Sequence, residues 1–307
     1  MIATPELPDV IVYAERIRAL AAGQRLSGMR ISSPFVLRTV TPAPETFTGH
    51  TLVGTERVGK RIVLAFDGDL FAVFHLMIAG RLHWRKQLAA IPRGHGVLAL
   101  DFETGSLVLT ESSSKRRAAL HLVAGRAGLR QFDRGGIDLT TATSDEVALA
   151  LRRRSRTLKR ALTDPTIVDG VGNAFSDEIL HRAKLSPFAL TGGLDDATTR
   201  RLHDAARDVL AEWVVRLRAQ TGDGFPEKVT AFRPEMAVHG KYGEPCPVCG
   251  TPVQRIVYAE NEANYCPVCQ TEGRVLADRS LSRLLKDDWP RTIEDLERLP
   301  AAKESER

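Results

Sequence analysis

Cys246-Pro247-Val248-Cys249 and Cys266-Pro267-Val268-Cys269, sixteen residues apart, contain all four cysteines of the chain. Two Cys-x-x-Cys pairs at this spacing read as a tetrahedral site in which four thiolates, Cys246, Cys249, Cys266 and Cys269, hold one structural zinc ion. Each pair forms a knuckle that turns two thiolates to one side, and the residues between are enough for a β-hairpin. Gly243 and Gly250 flank the first pair and suit tight turns. Four protein ligands leave no open coordination position, so this metal would shape the chain rather than react. Two disulfides are the competing reading. They need an oxidising compartment, and the N-terminal stretch has no basic segment leading into an apolar run.

Upstream of this finger the texture is helical. From about Asp145, the segments 142–164 and 195–219 are both amphipathic. In the second, Leu202, Ala205, Ala206, Val209, Leu210, Trp213, Val214 and Leu217 form one apolar stripe, which reads as core. Between them lies a Gly-rich turn followed by a third helix, expected to be capped near Ser176-Asp177. Further upstream, residues 24–125 run in short β-branched and apolar segments (30–40, 51–59, 60–66, 70–78, 96–103 and 105–112), punctuated by Gly and Asp as at Asp67-Gly68-Asp69. That pattern predicts an antiparallel sandwich or barrel. At the start, Leu7, Val10, Ile11, Ala14, Ile17, Leu20 and Ala21 share one helical face, with Pro8 in the first turn, where its missing N–H costs nothing.

The expected class is α+β: an N-terminal helix plus antiparallel β-sandwich, a helical module, and a C-terminal four-cysteine zinc-finger hairpin. Expected domain spans are 1–140, 141–236 and 237–277, with a helical tail at 278–307. The length of 307 residues and the 43% hydrophobic and 26% charged content belong to an ordinary globular chain and exclude a disordered or collagen-like one. No apolar run approaches the roughly 20 residues that span a bilayer. No membrane partner is expected, and a cytoplasmic location is, at the nucleoid in a bacterium. A net charge of +5 is mild. Its distribution says more: Lys115-Arg116-Arg117 and Arg152-Arg153-Arg154, Arg156, Lys159, Arg160 are local basic stripes of the kind that meet a phosphate backbone.

Four separated motifs resemble the formamidopyrimidine-DNA glycosylase/endonuclease VIII (Fpg/Nei, MutM-like) family of base-excision repair enzymes. Pro5-Glu6-Leu7-Pro8-Asp9-Val10 is similar to its N-terminal PELPEV. Val58-Gly59-Lys60-Arg61-Ile62-Val63-Leu64 resembles its strand bearing a catalytic lysine. The run from Asp169-Gly170-Val171-Gly172-Asn173 to Asp177-Glu178-Ile179-Leu180 resembles the turn of its helix–two-turn–helix module, and Gly243–Gln270 resembles its zinc finger. The four occur in the family's order and span nearly the whole chain up to about Gly273.

The resemblance implies a DNA glycosylase with AP lyase activity that flips an oxidised purine, such as 8-oxoguanine or a formamidopyrimidine, out of the stack. Pro5 would attack C1′ as a secondary amine and form a Schiff base that permits elimination of the phosphates. Glu6 would handle protons at the sugar, and Lys60 would meet the phosphate beside the lesion. Lys159 and Asn173 would bind phosphates flanking the flipped nucleotide. His75-Leu76-Met77-Ile78-Ala79-Gly80 is similar to the family's HLGMSG, which makes Met77 or Ile78 the wedge that fills the vacated stack. Arg116 or Arg117 would pair with the orphaned base. The implied partner is double-stranded DNA with damaged bases or AP sites, met by a monomer.

The chain departs from the family pattern in three places. Four residues precede Pro5, so as written its nitrogen is a tertiary amide. Processing of residues 1–4, a later start, or a chain without the proline Schiff base would each account for this. In the last case Glu6 would activate water or Lys60 would serve as the amine. Asn261 stands where the family commonly has a finger arginine, leaving Arg255 as the substitute cation. The intercalating Phe that often follows the Arg pair is absent. The segment 222–240 is similar to the lesion-covering loop of purine-type members but shorter, so an enzyme for oxidised pyrimidines is the nearest alternative. A lesion- or AP-site-binding protein without chemistry is the alternative of another class.

Overall fold

The computed structural model describes residues 4–258, 261–277, 292 and 295. The expected tail helices of 278–307 fall outside these residues, apart from Thr292 and Asp295. The chain forms two compact units, neither a single stretch of sequence. The first comprises the chain up to Thr140 with Pro165–Val171 and Leu210–Ala231; the second comprises Thr141–Asp164, Gly172–Val209 and the chain from Phe232.

The first unit opens with α1 (Leu7–Ala21), followed by β1 (Leu26–Ile31), β2 (Leu52–Val58), β3 (Arg61–Phe66), β4 (Leu70–His75), β5 (Gly80–Arg85), β6 (Gly96–Phe102), β7 (Ser106–Glu111) and β8 (Ala119–Ala124). The strands make two four-stranded sheets, ordered β1-β6-β7-β5 and β2-β3-β4-β8, every pairing antiparallel. Their inner faces and the apolar face of α1 close one core. It includes Tyr13, Ile17, Phe47, Ile62, Leu64, Phe74, Leu98, Phe102 and Leu109, all fully or almost fully buried. The second sheet is buried on its other face as well, where Val63, Phe71, Val73 and Val123 pack on Leu129 and Phe132. That second covering explains why β3 and β4 read as continuous apolar runs rather than alternating ones.

Two sequence expectations need correction here. Residues 30–40 do not continue as a strand: β1 ends at Ile31 and Pro34–Val36 form one 3-10 turn, because proline supplies no ladder N–H. Strand β5 carries Arg81, His83 and Arg85 on its outer face, and that polarity masks its strand character in the sequence.

The second unit contains α2 (Ser144–Arg152), α3 (Leu158–Thr163), α4 (Asn173–Arg182), the hairpin β9 (Gln254–Tyr258) and β10 (Asn261–Tyr265), and α6 (Pro267–Thr271). The 26-residue helix α5 (Asp196–Thr221) starts in this unit and ends in the first. All eight residues of its predicted stripe are buried. The helix expected over 142–164 is two helices. Between them the backbone is taken by residues 189–191: Thr191 N–H donates to Arg156 O at 2.8 Å, and Thr191 Oγ1 donates to Arg154 O at 3.0 Å. No described helix is long and apolar enough to cross a membrane.

Candidate active site and zinc centre

In the first unit the candidate chemistry gathers at the start of α1. Glu6 is its N-cap and is 3% exposed; Pro5 beside it is buried. Asp9, one turn on, accepts the Glu6 backbone N–H at 2.9 Å, fixing the chain's entry to the helix. Leu7 N–H donates to Gly170 O at 2.9 Å. The first part of the Asp169–Leu180 motif therefore serves α1, while the part from Gly172 onward starts α4 in the other unit.

Lys60 lies not on a strand but in the two-residue turn between β2 and β3. Gly59 at the first turn position has φ +64°, the feature of a type II′ hairpin, so glycine is required there. The Lys60 side chain is half-buried. Burial pushes its ammonium pKa down, and the charges of Glu6 and Asp169 partly oppose this. Asp169 is itself held by Arg57 Nη1 at 2.8 Å, and Arg57 also pairs with Asp138. The Glu6 carboxyl acts on the Lys60 ammonium through its charge, so one site offers an amine of lowered pKa able to attack an electrophilic carbon and a buried carboxyl able to move protons.

The Leu76–Gly80 turn presents the two wedge candidates. Gly80 N–H donates to Leu76 O at 2.8 Å, and a Cβ on Gly80 would lie 2.3 Å from that oxygen. Met77 adopts φ +52°, a left-handed conformation that costs a methionine roughly 1–3 kcal/mol, and Ile78 at the tip is 40% exposed. Lys115, Arg116 and Arg117 are exposed on the β7–β8 loop. The buried Glu111 carboxylate shapes that loop by accepting the N–H groups of Arg117 at 2.7 Å and Ala118 at 3.1 Å. Arg116 Nη2 donates to Gly94 O at 2.7 Å.

The segment similar to a lesion-covering loop is not a free loop over its first half. Arg16 Nε donates to Gly224 O at 2.7 Å, Phe225 packs on Tyr13, and Arg81 Nε donates to Val229 O at 2.8 Å. Glu227 accepts from Arg85 through both carboxylate oxygens and lies 2.8 Å from His83 Nδ1.

In the second unit α4 begins at Asn173, with Gly172 as an N-cap that brings no side chain. The expected cap near Ser176-Asp177 is instead the first turn. Ser176 Oγ donates to Asn173 O at 2.9 Å, and Asp177 is fully buried. Asn173 is half-exposed at the positive end of the helix. Lys159 is 8% exposed, and its Nζ donates to Asn173 O at 2.7 Å and Asp177 Oδ1 at 2.5 Å. It thus supports the α4 N-terminus from beneath.

Asp177 and Glu178 are site-building residues whose roles the sequence reading missed. Asp177 Oδ2 also lies 2.8 Å from His239 Nδ1 and accepts from Asn264 Nδ2 at 3.3 Å. Glu178 accepts the backbone N–H groups of Ala237, Val238 and His239 at 2.8–2.9 Å; burial raises its pKa, and those three bonds act against the rise. Two consecutive carboxylates lying between Phe175 and the Ile179-Leu180 pair were the available signal. Asp177→Ala leaves the Lys159 ammonium buried without its carboxylate. The expected cost is about 3–5 kcal/mol, seen as a lower urea midpoint; an unchanged midpoint would show that the pair contributes nothing.

The four cysteine sulfurs all lie within 4.8 Å of one another, with Cys249–Cys266 at 3.3 Å and Cys246–Cys269 at 3.9 Å. Zinc–sulfur bonds of about 2.3 Å at tetrahedral angles separate sulfurs by roughly 3.8 Å, so the donor set fits one structural zinc. His181 Nε2 lies 3.3 Å from Cys246 Sγ, and Gln270 ties the finger to the end of α4 by accepting from Cys266 N–H and donating to Leu185 O. Above the finger, the Arg255 guanidinium lies 4.4 Å over the Tyr242 ring, and both side chains face solvent. Asn261 opens β10; its side chain falls outside the described residues.

Three family models match in the order of these parts: the formamidopyrimidine-DNA glycosylase N-terminal domain over residues 4–119, its H2TH domain over 138–222, and the zinc finger found in FPG and IleRS over 243–271. A formamidopyrimidine-DNA glycosylase of Thermus thermophilus is 32% identical over 292 residues, 88% of this chain and 99% of that protein. An uncharacterized formamidopyrimidine-DNA glycosylase-like protein of Mycobacterium tuberculosis is 42% identical over 160 residues, 52% of this chain and 99% of its own length. Among solved structures, Lactococcus lactis Fpg with abasic-site DNA superposes with a TM-score of 0.76 at 25% identity, covering 87% of this chain and 99% of that one. MutM with DNA containing carbocyclic 8-oxo-G gives 0.77 at 25%, covering 87% and 100%. The chain belongs to the formamidopyrimidine-DNA glycosylase family.

Proposed function

We propose that this protein is a base-excision repair DNA glycosylase and AP lyase that removes oxidised purines, 8-oxoguanine and formamidopyrimidines, from double-stranded DNA. The observation that carries the reading is the buried Glu6 at the N-cap of α1, whose charge acts on the pKa-lowered amine of Lys60 in the β2–β3 turn. Glu6 moves the proton at the sugar as the bond from C1′ to the base breaks. The amine that forms the C1′ Schiff base is Lys60 while residues 1–4 remain attached, and Pro5 once they are removed and its nitrogen is a secondary amine. Met77 and Ile78 fill the vacated stack, and Arg116 and Arg117 meet the orphaned base. Asn173, with Lys159 fixing it from below, holds a flanking phosphate at the α4 N-terminus. Arg255 supplies the finger's cation, with Asn261 as an uncharged contact. The zinc holds the finger in shape and takes no part in the chemistry. The protein acts as a monomer, in the cytoplasm at the nucleoid. Excision of 8-oxoguanine from a duplex oligonucleotide by the full chain tests this reading; intact substrate after complete binding would contradict it.

One observation favours oxidised pyrimidines as a second substrate class: residues 223–229 are bonded to Arg16, Arg81 and Arg85 rather than loose. Excision of thymine glycol but not 8-oxoguanine would establish that class in place of purines.

If Lys60 and Arg255 each neutralise one phosphate, log K should fall with log salt at a slope near −1.8. That is roughly a 12-fold loss between 50 and 200 mM salt. A flat response in a fluorescence-anisotropy titration would remove the backbone contacts.

A further inference from the structure

Phe35 is 78% exposed, on the 3-10 turn Pro34–Val36 that follows β1. The turn is firmly placed. Ser33 and Val36 on either side are buried, and Val36 belongs to the sandwich core. Leu37 bridges Leu120 on β8, Arg38 N–H donates to Leu120 O at 2.9 Å, and Leu122 N–H donates to Thr39 Oγ1 at 2.8 Å. A well-anchored turn that turns a large ring to water forgoes the gain that burial of such a side chain offers.

The turn lies beside the start of β8, which follows a basic loop. β8 begins two residues after the exposed Lys115-Arg116-Arg117, so that loop and the Phe35 turn meet the same end of one strand. From there a row of basic groups crosses the sheet toward Lys60. His121 on β8 has its pKa lowered by burial, then by Arg61 and Arg38. His75 on β4 is lowered to about 4 by burial, then by Arg61, Lys60 and His121. No carboxylate is among the groups acting on either imidazole. Both imidazoles are therefore uncharged near neutral pH. At this end of the sheet Arg61 pairs with His75, His75 with Ala119, and Arg38 N–H bonds Leu120 O. The positive charge there rests on Lys60, Arg61 and Arg38, with Asp169 acting on the first two; a polyanion would meet those three cations. An exposed aromatic ring beside a cationic track is the arrangement that stacks on nucleic-acid bases.

We propose that Phe35 is a base-stacking residue: the DNA backbone follows the row from Lys60 to Arg38, and the Phe35 ring packs on a base left unstacked where the duplex opens. The proposal rests on the DNA glycosylase reading and adds a position to it.

The test measures binding of wild type, Phe35→Ala and Phe35→Trp to two 2-aminopurine-labelled duplexes, one intact and one with a tetrahydrofuran abasic site beside the label. Phe35→Ala should bind the abasic duplex about tenfold more weakly and lose the quenching of 2-aminopurine, with intact-duplex binding unchanged. Phe35→Trp should keep both affinity and quenching. Wild-type affinity and quenching in Phe35→Ala, or equal loss on both duplexes, would overturn the stacking role alone. A wild type with no preference for the abasic duplex would overturn the glycosylase reading together with it.

Discussion

Glu6→Gln is expected to reduce base release by about 10²–10⁴-fold while leaving affinity for AP-site DNA essentially unchanged. Gln keeps the size of the side chain and an oxygen able to accept the Asp9 backbone N–H of the capping box, and the Glu6 backbone N–H still donates to the Asp9 carboxylate, so the local fold survives the change. What disappears is a group able to take and return a proton, along with one of the two negative charges acting on Lys60. With Asp169 alone opposing desolvation, a larger fraction of the Lys60 amine is unprotonated, so the variant keeps an amine able to attack. Single-turnover excision from an 8-oxoguanine duplex, with anisotropy on AP-site DNA alongside, separates the two effects. Full excision by the variant would remove Glu6 from the mechanism.

Removal of zinc is the second large effect. The finger's own core is small: Val238, Val253 and two of the ligands themselves, Cys246 and Cys266. Without the ion nothing comparable to the roughly 10–16 kcal/mol of structural zinc binding holds the β9–β10 hairpin. The hairpin carries Arg255 and Asn264, and Asn264 joins the Asp177 network beneath Lys159. Chelation should therefore abolish DNA binding at a temperature where the sandwich, whose core contains no metal ligand, still melts cooperatively. Circular dichroism melting and anisotropy on the same chelated sample check this. Undiminished DNA binding would make the finger dispensable.

Periodicity and motif chemistry made much of this architecture readable. The α5 stripe, the α1 face and the Cys-x-x-Cys pairs follow directly from spacing, because each depends on residues close in sequence. What escaped depended on distant partners. The break between α2 and α3 is invisible locally, since residues 154–156 leave the helix to bond Thr191. Lys159 reads as one more cation in a basic run, yet Asp177, eighteen residues on, draws it into the interior. Lys60 looks like a strand residue until Gly59 takes a positive φ and turns the chain. Phe35 sits in a run that reads as strand and therefore as core; Pro34 ends that pattern and leaves the ring outside.

Borohydride trapping on duplex DNA carrying an AP site or 8-oxoguanine, with the adducted peptide mapped by mass, tests the central claim most directly. A DNA glycosylase with lyase activity predicts released base and a covalent adduct at Lys60, or at Pro5 where residues 1–4 have been removed. Neither adduct nor released base, from protein that binds the same DNA, would contradict the catalytic account and leave a lesion-binding protein.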